Sequence, residues 1–199
     1  FGSPAIIGGF GVPATVDITA DLVLFTSANQ FSDRIGSSHG GHVDVTAFGD
    51  ISLGKGLLGT NRAVAGGWVH LTSQNGNIYQ SVVGRISTPD LTVSAHGDGG
   101  EGGGGIFLPS PLNRVGLLDA KITGPGYNEI SFSGDSVTLF DVDATFGTGH
   151  GDVSIYTDYG IYETDPGNTD IRAGSGDIYL SSTYGGLVGG RAISADVNT

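Results

Sequence analysis

The chain has 199 residues, of which 37 are Gly and 7 Pro, and only 14% are charged. Gly shows no every-third-residue period, which excludes collagen, and a chain so poor in Lys, Glu and Arg is a poor candidate for a helical bundle or a doubly wound α/β fold. Eight basic residues stand against 20 acidic ones, a net charge of −12, so the basic footprint that a nucleic-acid binder needs is absent and an anionic membrane surface is disfavoured.

The first segment, residues 1–13, is apolar, Gly-rich and free of charge. It is expected to be an irregular N-terminal cap, or a strand donated to a neighbouring coil or molecule. From residue 14 on, short stretches alternate apolar and polar residues with period two. They are residues 15–20 (Thr-Val-Asp-Ile-Thr-Ala), 42–47 (His-Val-Asp-Val-Thr-Ala), 68–72 (Trp-Val-His-Leu-Thr) and 90–95 (Asp-Leu-Thr-Val-Ser-Ala). Residues 129–133, 152–156 and 177–181 continue the series. Each reads as a strand with one buried face.

The spacing carries more than the strands themselves. Val16 to Val43 is 27 residues, Val43 to Val69 is 26 and Val69 to Leu91 is 22, while Ile130 to Val153 is 23 and Val153 to Ile178 is 25. A second short strand follows a Gly-containing turn at 48–53, 75–79 and 134–139, and weaker third strands fit 84–87 and 191–195. One strand motif per 22–27 residues predicts an all-β parallel β-helix, a β-solenoid in which each coil buries its apolar face only by stacking on the next. Gly at the corners permits positive φ, and Asp or Asn beside it accepts local backbone hydrogen bonds. The solenoid is expected to run from residue 14 to 199 as one unit. Residues 96–112, with a run of Gly, are expected to be a loop insertion leaving one face, and that insertion is expected to cause the failed repeat between Leu91 and Ile130.

Cys is absent, which removes disulfides, thiolate metal sites and a cysteine nucleophile. Met is absent too, and the chain begins Phe1-Gly2-Ser3-Pro4, so it is expected to be a processed form or a segment of something longer. No stretch reaches about 18 apolar residues, the length a membrane-spanning helix needs.

The repeats resemble those of filamentous-haemagglutinin-like proteins. The resemblance rests on residues 16–53, with Gly40-Gly41 before a strand ending Thr46-Ala47, then Gly49-Asp50 before the next strand, and on residues 174–187. It covers most of the chain from residue 14 on, except 96–128. It implies a large secreted bacterial surface protein, a right-handed parallel β-helix, adhesive and non-catalytic. The secretion domain of that family carries an Asn-Pro-Asn-Gly motif, which this chain lacks, so the resemblance implies a shaft segment or an independent structural unit and transfers no functional residue.

Candidate chemistry is sparse. His39 and His42 with Asp44 form a weak metal pattern, since a zinc site needs further ligands at fixed geometry. Asp141, Asp143, His150 and Asp152 form one acidic group, and Glu163, Asp165, Asn168 and Asp170 a second. Asp141, Asp143, Asp165 and Asp170 are the calcium candidates, although neither group has the twelve-residue calcium-loop spacing. Asp141 and Asp143 are also near enough for a glycosidase pair, and Arg172 or Arg114 could supply a lyase base. No Gly-x-Ser-x-Gly elbow or phosphate loop is present. Tyr156, Tyr159, Tyr162, Tyr179 and Tyr184 concentrate late in the chain, with Tyr156 and Tyr179 expected on one outward face.

The reading is therefore a non-catalytic structural or adhesive unit of a secreted bacterial surface fibre, extracellular, without cofactor unless calcium. It would associate end to end or with flanking solenoid, and could meet cell-surface glycans. The alternatives are a carbohydrate-active β-helix, either a lyase, glycosidase or tailspike-like depolymerase, and a binding module that uses the 96–112 loop.

Overall fold

A computed structural model describes residues 6–8, 12–25, 34–36, 39–59, 67–97, 104–145, 151–164 and 170–188. The strands are β1 (Ile6–Ile7), β2 (Ala14–Ala20), β3 (Val23–Phe25), β4 (Arg34–Ile35), β5 (Gly41–Ala47), β6 (Ile51–Leu53), β7 (Gly56–Gly59), β8 (Trp68–Ser73) and β9 (Ile78–Gln80). They continue as β10 (Gly84–Ala95), β11 (Gly105–Leu108), β12 (Arg114–Ile122), β13 (Asn128–Asp143), β14 (Gly151–Glu163), β15 (Asp170–Arg172), β16 (Ile178–Ser182) and β17 (Leu187–Val188). Among the described residues there is no helix.

Every strand pairing among the described residues is parallel, and the pairings sort the strands into walls. The first wall stacks β1, β4, β7, the start of β10 and the start of β12, then residues 136–139 of β13, whose Thr138 and Leu139 pair with Leu117 and Leu118 before a register shift in β12, and finally the end of β14 and β17. The second stacks β2, β5, β8, the end of β10, the end of β12, residues 141–143 of β13 and β15. The third stacks β3, β6, β9, β11, the start of β13, the start of β14 and β16. The chain visits the walls in that order and repeats, so the fold is a β-solenoid.

The core is a set of columns between the walls. On the third wall Val23, Ile51, Ile78, Ile106, Ile130, Val153 and Ile178 stand in register. On the second, Val16, Val43, Val69, Leu91 and Leu118 do the same. Apart from Ile178, which is partly buried, these residues are buried. Burying each such side chain contributes about 1.5–3 kcal/mol, and no single rung could do so without its neighbours.

Two expectations need correction. The stretch 96–112 is not wholly a loop: Gly105–Leu108 is β11, paired on one side with β9 and on the other with β13. Ile106 and Leu108 are buried core residues, because their alternation matches the rungs above and below. Residues 98–103, in the Gly run, lie outside the described residues. The failed repeat between Leu91 and Ile130 also has another cause. Leu91 stacks on Leu118, 27 residues on (118 − 91), whereas Ile130 belongs to the third wall and stacks on Ile106. The two series of regular spacings lie on different walls. In the first segment, Ile6–Ile7 pairs with β4 of its own chain, and residues 191–195 lie outside the described residues.

The corners explain the Gly-Asp and Gly-Asn pairs of the repeats. Where the second wall turns into the third, the Asn77 N–H donates to Asp50 Oδ1 at 2.7 Å and the Gly105 N–H to Asn77 Oδ1 at 2.7 Å. Further along the same corner the Gly104 N–H donates to Asn128 Oδ1 at 3.0 Å, and the Asp177 N–H to Asp152 Oδ1 at 2.8 Å. These carboxylates and amides satisfy backbone donors that leave the sheet ladder at a turn. The opposite corner, after the first wall, is built differently. Gly8, Gly36 and Gly59 stack there with φ of 122°, 104° and 119°. A Cβ on Gly36 would come within 2.3 Å of the Gly59 carbonyl oxygen, so the backbones approach too closely for any side chain.

Candidate functional site

Six of the residues singled out by the sequence lie on the second wall: His42, Asp44, Asp141, Asp143, Asp170 and Arg172. Inward positions of its strands hold the core, so the alternate residues face outward. They form a register column of Asp17, Asp44, His70, Thr92 and Asp119. His42 and Asp44 lie on β5, while His39 sits exposed in the turn before it. The His42 ring stacks on Trp68 at 4.3 Å between centroids, and Trp68 stacks on His70 at 4.0 Å. His70 Nδ1 is 3.8 Å from Asp44 Oδ2. The partners of His42 and Asp44 are thus Trp68 and His70. Among the described residues no group of three His, Cys, Asp or Glu side chains is arranged to hold a metal ion.

Asp141 and Asp143 do come together, on the last part of β13, and Arg172 joins them from β15. Its guanidinium Nη1 donates to Asp143 Oδ2 at 3.2 Å and lies 3.9 Å from Asp141 Oδ1. The register explains the meeting, since Asp143 and Arg172 are direct partners of adjacent rungs. Asp143 Oδ1 also accepts from the Thr145 N–H at 2.8 Å and from the Thr145 hydroxyl. Burial pushes the Asp143 carboxyl up, but the hydrogen bonds of Thr145 and the hydrogen bond and charge of Arg172 outweigh it and hold the group below its ordinary 3.8. Asp119 goes the other way. Its burial, and then the neighbouring Asp141 carboxylate, raise it above 3.8, with Lys121 and His70 offsetting in part.

A guanidinium nitrogen therefore already stands against two of the four calcium candidates, Asp141 and Asp143. The backbone of Asp170 pairs with that of Asp141, while Asp165, His150 and Asn168 lie outside the described residues. Asp152 is engaged at its corner, where it also accepts the Tyr127 hydroxyl. Glu163 ends β14 in register with Leu139. Of the two arginines considered as a lyase base, Arg172 reaches the acidic pair, whereas Arg114 faces Asp135, with Nε 3.8 Å from Oδ2.

Four of the five tyrosines form exposed pairs, and Tyr162, also exposed, lies near the end of β14. Tyr156 and Tyr179 lie on the outer face of the third wall, 5.5 Å apart between centroids, as their strand parity predicts. Tyr159 and Tyr184 meet 6.1 Å apart at the corner from the third wall to the first.

A groove along that corner escaped the sequence. Its cavity of about 310 Å³ is lined by Leu57, Arg85, Leu112, Arg114, Asp158 and Tyr159, with Val83, Pro111 and Asp135 completing it. These residues come from separate rungs and share no motif. Only the Arg114 and Tyr159 letters had drawn notice. Compared with protein-family models, with curated proteins and with solved structures, the chain matches none.

Proposed function

We propose that this chain is a structural and adhesive β-solenoid unit of a secreted, extracellular bacterial surface fibre, similar in kind to filamentous-haemagglutinin-like proteins and without catalysis. The observation that supports it is the unbroken stacking of parallel rungs on constant walls. A solenoid grows by adding rungs, so its backbone and apolar columns can continue into a flanking solenoid or an identical subunit. The paired acids Asp141 and Asp143 favour this reading as well, because Arg172 holds them as a structural ion pair. Electron micrographs of the purified chain test it. Rods or filaments are expected, with assembly weakened by deleting residues 1–13. Compact particles that sediment as a 20.1 kDa monomer at high concentration, with or without the deletion, would overturn it.

A second reading, a carbohydrate-active solenoid, draws on Asp119. A carboxyl raised beside the Asp141 carboxylate is the asymmetry an acid and base pair uses. Release of reducing ends from a polysaccharide, abolished by Asp119→Asn, would favour it over the structural reading.

A further inference from the structure

The groove at the corner between the third and first walls crosses successive rungs, from Leu57 on β7 through Arg85 on β10, Arg114 on β12 and Asp135 on β13 to Asp158 and Tyr159 on β14. Four strand spacings make it about 19 Å long. It extends along the stack and is open to solvent, which suits a linear chain better than a compact ligand.

Its rim is held from below. The Ser110 hydroxyl donates to the Val82 carbonyl at 3.0 Å and also to that of Gly84, and the Leu112 N–H donates to Ser110 Oγ at 3.3 Å. Asp135 is oriented by the Ser136 N–H, which donates to its Oδ1 at 2.7 Å, with Arg114 on its other oxygen. Pro111 and Leu112 are thus set on the buried Ser110, and Asp135 is oriented by its neighbours, so the shape is made before any ligand arrives.

The chemistry of the lining is balanced. Arg85 and Arg114 offer donors, Asp135 and Asp158 offer acceptors, and the charges sum to zero (2 − 2). This occurs on a chain of net charge −12 with only 8 basic residues. An anionic ligand would meet the two carboxylates and a cationic one the two guanidinium groups. A hydroxyl-rich ligand uses both, because each hydroxyl donates and accepts. Leu57, Leu112 and Tyr159 supply apolar area, with Tyr159 62% exposed, and an aromatic face of that kind packs against the apolar side of a sugar ring. A peptide fits less well. Extended peptides gain affinity by pairing with a strand edge, but the strands beneath the groove are paired on both sides.

We infer that this groove binds a neutral, linear oligosaccharide. The inference rests on reading the chain as an adhesive solenoid and names what its side would hold. Calorimetric titration of the full chain tests it, with cellohexaose, maltohexaose and mannohexaose as neutral probes. Hexagalacturonate and an acidic and a basic hexapeptide serve as the competing classes. Saturable binding of at least one neutral probe is expected, weakened about tenfold or more by Tyr159→Ala and by Asp158→Asn, the scale of one lost hydrogen bond or stacking contact. Phe48→Ala, at an exposed aromatic outside the groove, should leave it unchanged. No saturable binding of any neutral probe, tighter binding of hexagalacturonate or a peptide, or indifference to both groove substitutions would overturn the inference. Sedimentation of the same variants separates the two readings. Loss of sugar binding with assembly intact concerns the groove alone, and loss of assembly with sugar binding intact concerns the fibre alone.

Discussion

Gln80 and Asn113 exchange two hydrogen bonds inside the solenoid: Gln80 Nε2 donates to Asn113 Oδ1 at 2.8 Å, and Asn113 Nδ2 donates to Gln80 Oε1 at 2.9 Å. Both are buried, Asn113 completely. Gln80 occupies a core position in register with Leu53, and Asn113 reaches it from the next turn. The same amide accepts the Ile86 N–H at 2.9 Å and donates to the Ser133 carbonyl at 3.0 Å. One side chain thus ties several rungs at the corner beneath the groove. Asn113→Ala strands the Gln80 amide and the Ile86 N–H in the interior. Buried unpaired groups cost about 1–3 kcal/mol each, so the loss should reach about 3 kcal/mol and lower the Tm by roughly 6–12 °C. Thermal melts against Gln74→Ala, an exposed amide, check this.

The glycine column at the other corner makes a sharper prediction. Gly36→Ala places a methyl against the Gly59 carbonyl and asks a non-glycine residue to hold φ near 104°. Backbone displacement and strain should together cost about 2 kcal/mol or more. Gly186→Ala meets nothing within 4 Å and should stay within about 0.5 kcal/mol of the parent. Urea titration of the pair would show a clear difference in midpoint, and equal midpoints would refute the close-packed corner.

Stability should depend on pH in two opposed steps. Asp119 and Glu129 are both raised above their ordinary values of 3.8 and 4.5, chiefly by burial. Folding therefore favours their protonated forms, and acidification from pH 7 through their raised values should stabilise the protein. Asp143 is lowered, so its contribution is complete above the ordinary 3.8 and is lost as pH falls through its folded value. The Tm should rise on mild acidification and fall below about pH 3.8. Asp119→Asn should flatten the rise and Asp143→Asn the fall. A Tm that only declines from pH 7 downward in the parent would contradict the assignment.

Removing Arg172 should expose the latent chemistry of its partners. In Arg172→Ala the carboxylates of Asp141 and Asp143 face each other without the guanidinium that lies 3.9 and 3.2 Å from them. Like charges so placed attract a cation. The variant should melt lower than the parent and regain stability on adding calcium, with EDTA reversing the gain. The parent should show little calcium response at these two residues. A parent Tm that falls in EDTA, with the fall abolished by Asp141→Asn, would instead restore them as a calcium site.

The amino-acid sequence by itself determined the rungs. Period-two alternation and steps of 22–27 residues placed Val16, Val43, Val69 and Leu91 one above another, as the strand register has them. It also placed Tyr156 and Tyr179 on a common outer face. Such features follow from strand geometry and repetition, which are local. Only the tertiary structure decided which wall each strand joins. Alternation looks the same on every wall, and wall identity depends on how each corner turns. For that reason the series beginning at Val16 and the series beginning at Ile130 read as one, and β11 read as loop because Gly neighbours obscured it. The same limit hid the pairing of Arg172 with Asp143, of Gln80 with Asn113, and the groove. Their members lie 29 (172 − 143) and 33 (113 − 80) residues apart, or on successive rungs. Their meeting is set by the register of stacked coils, which no short stretch of sequence contains.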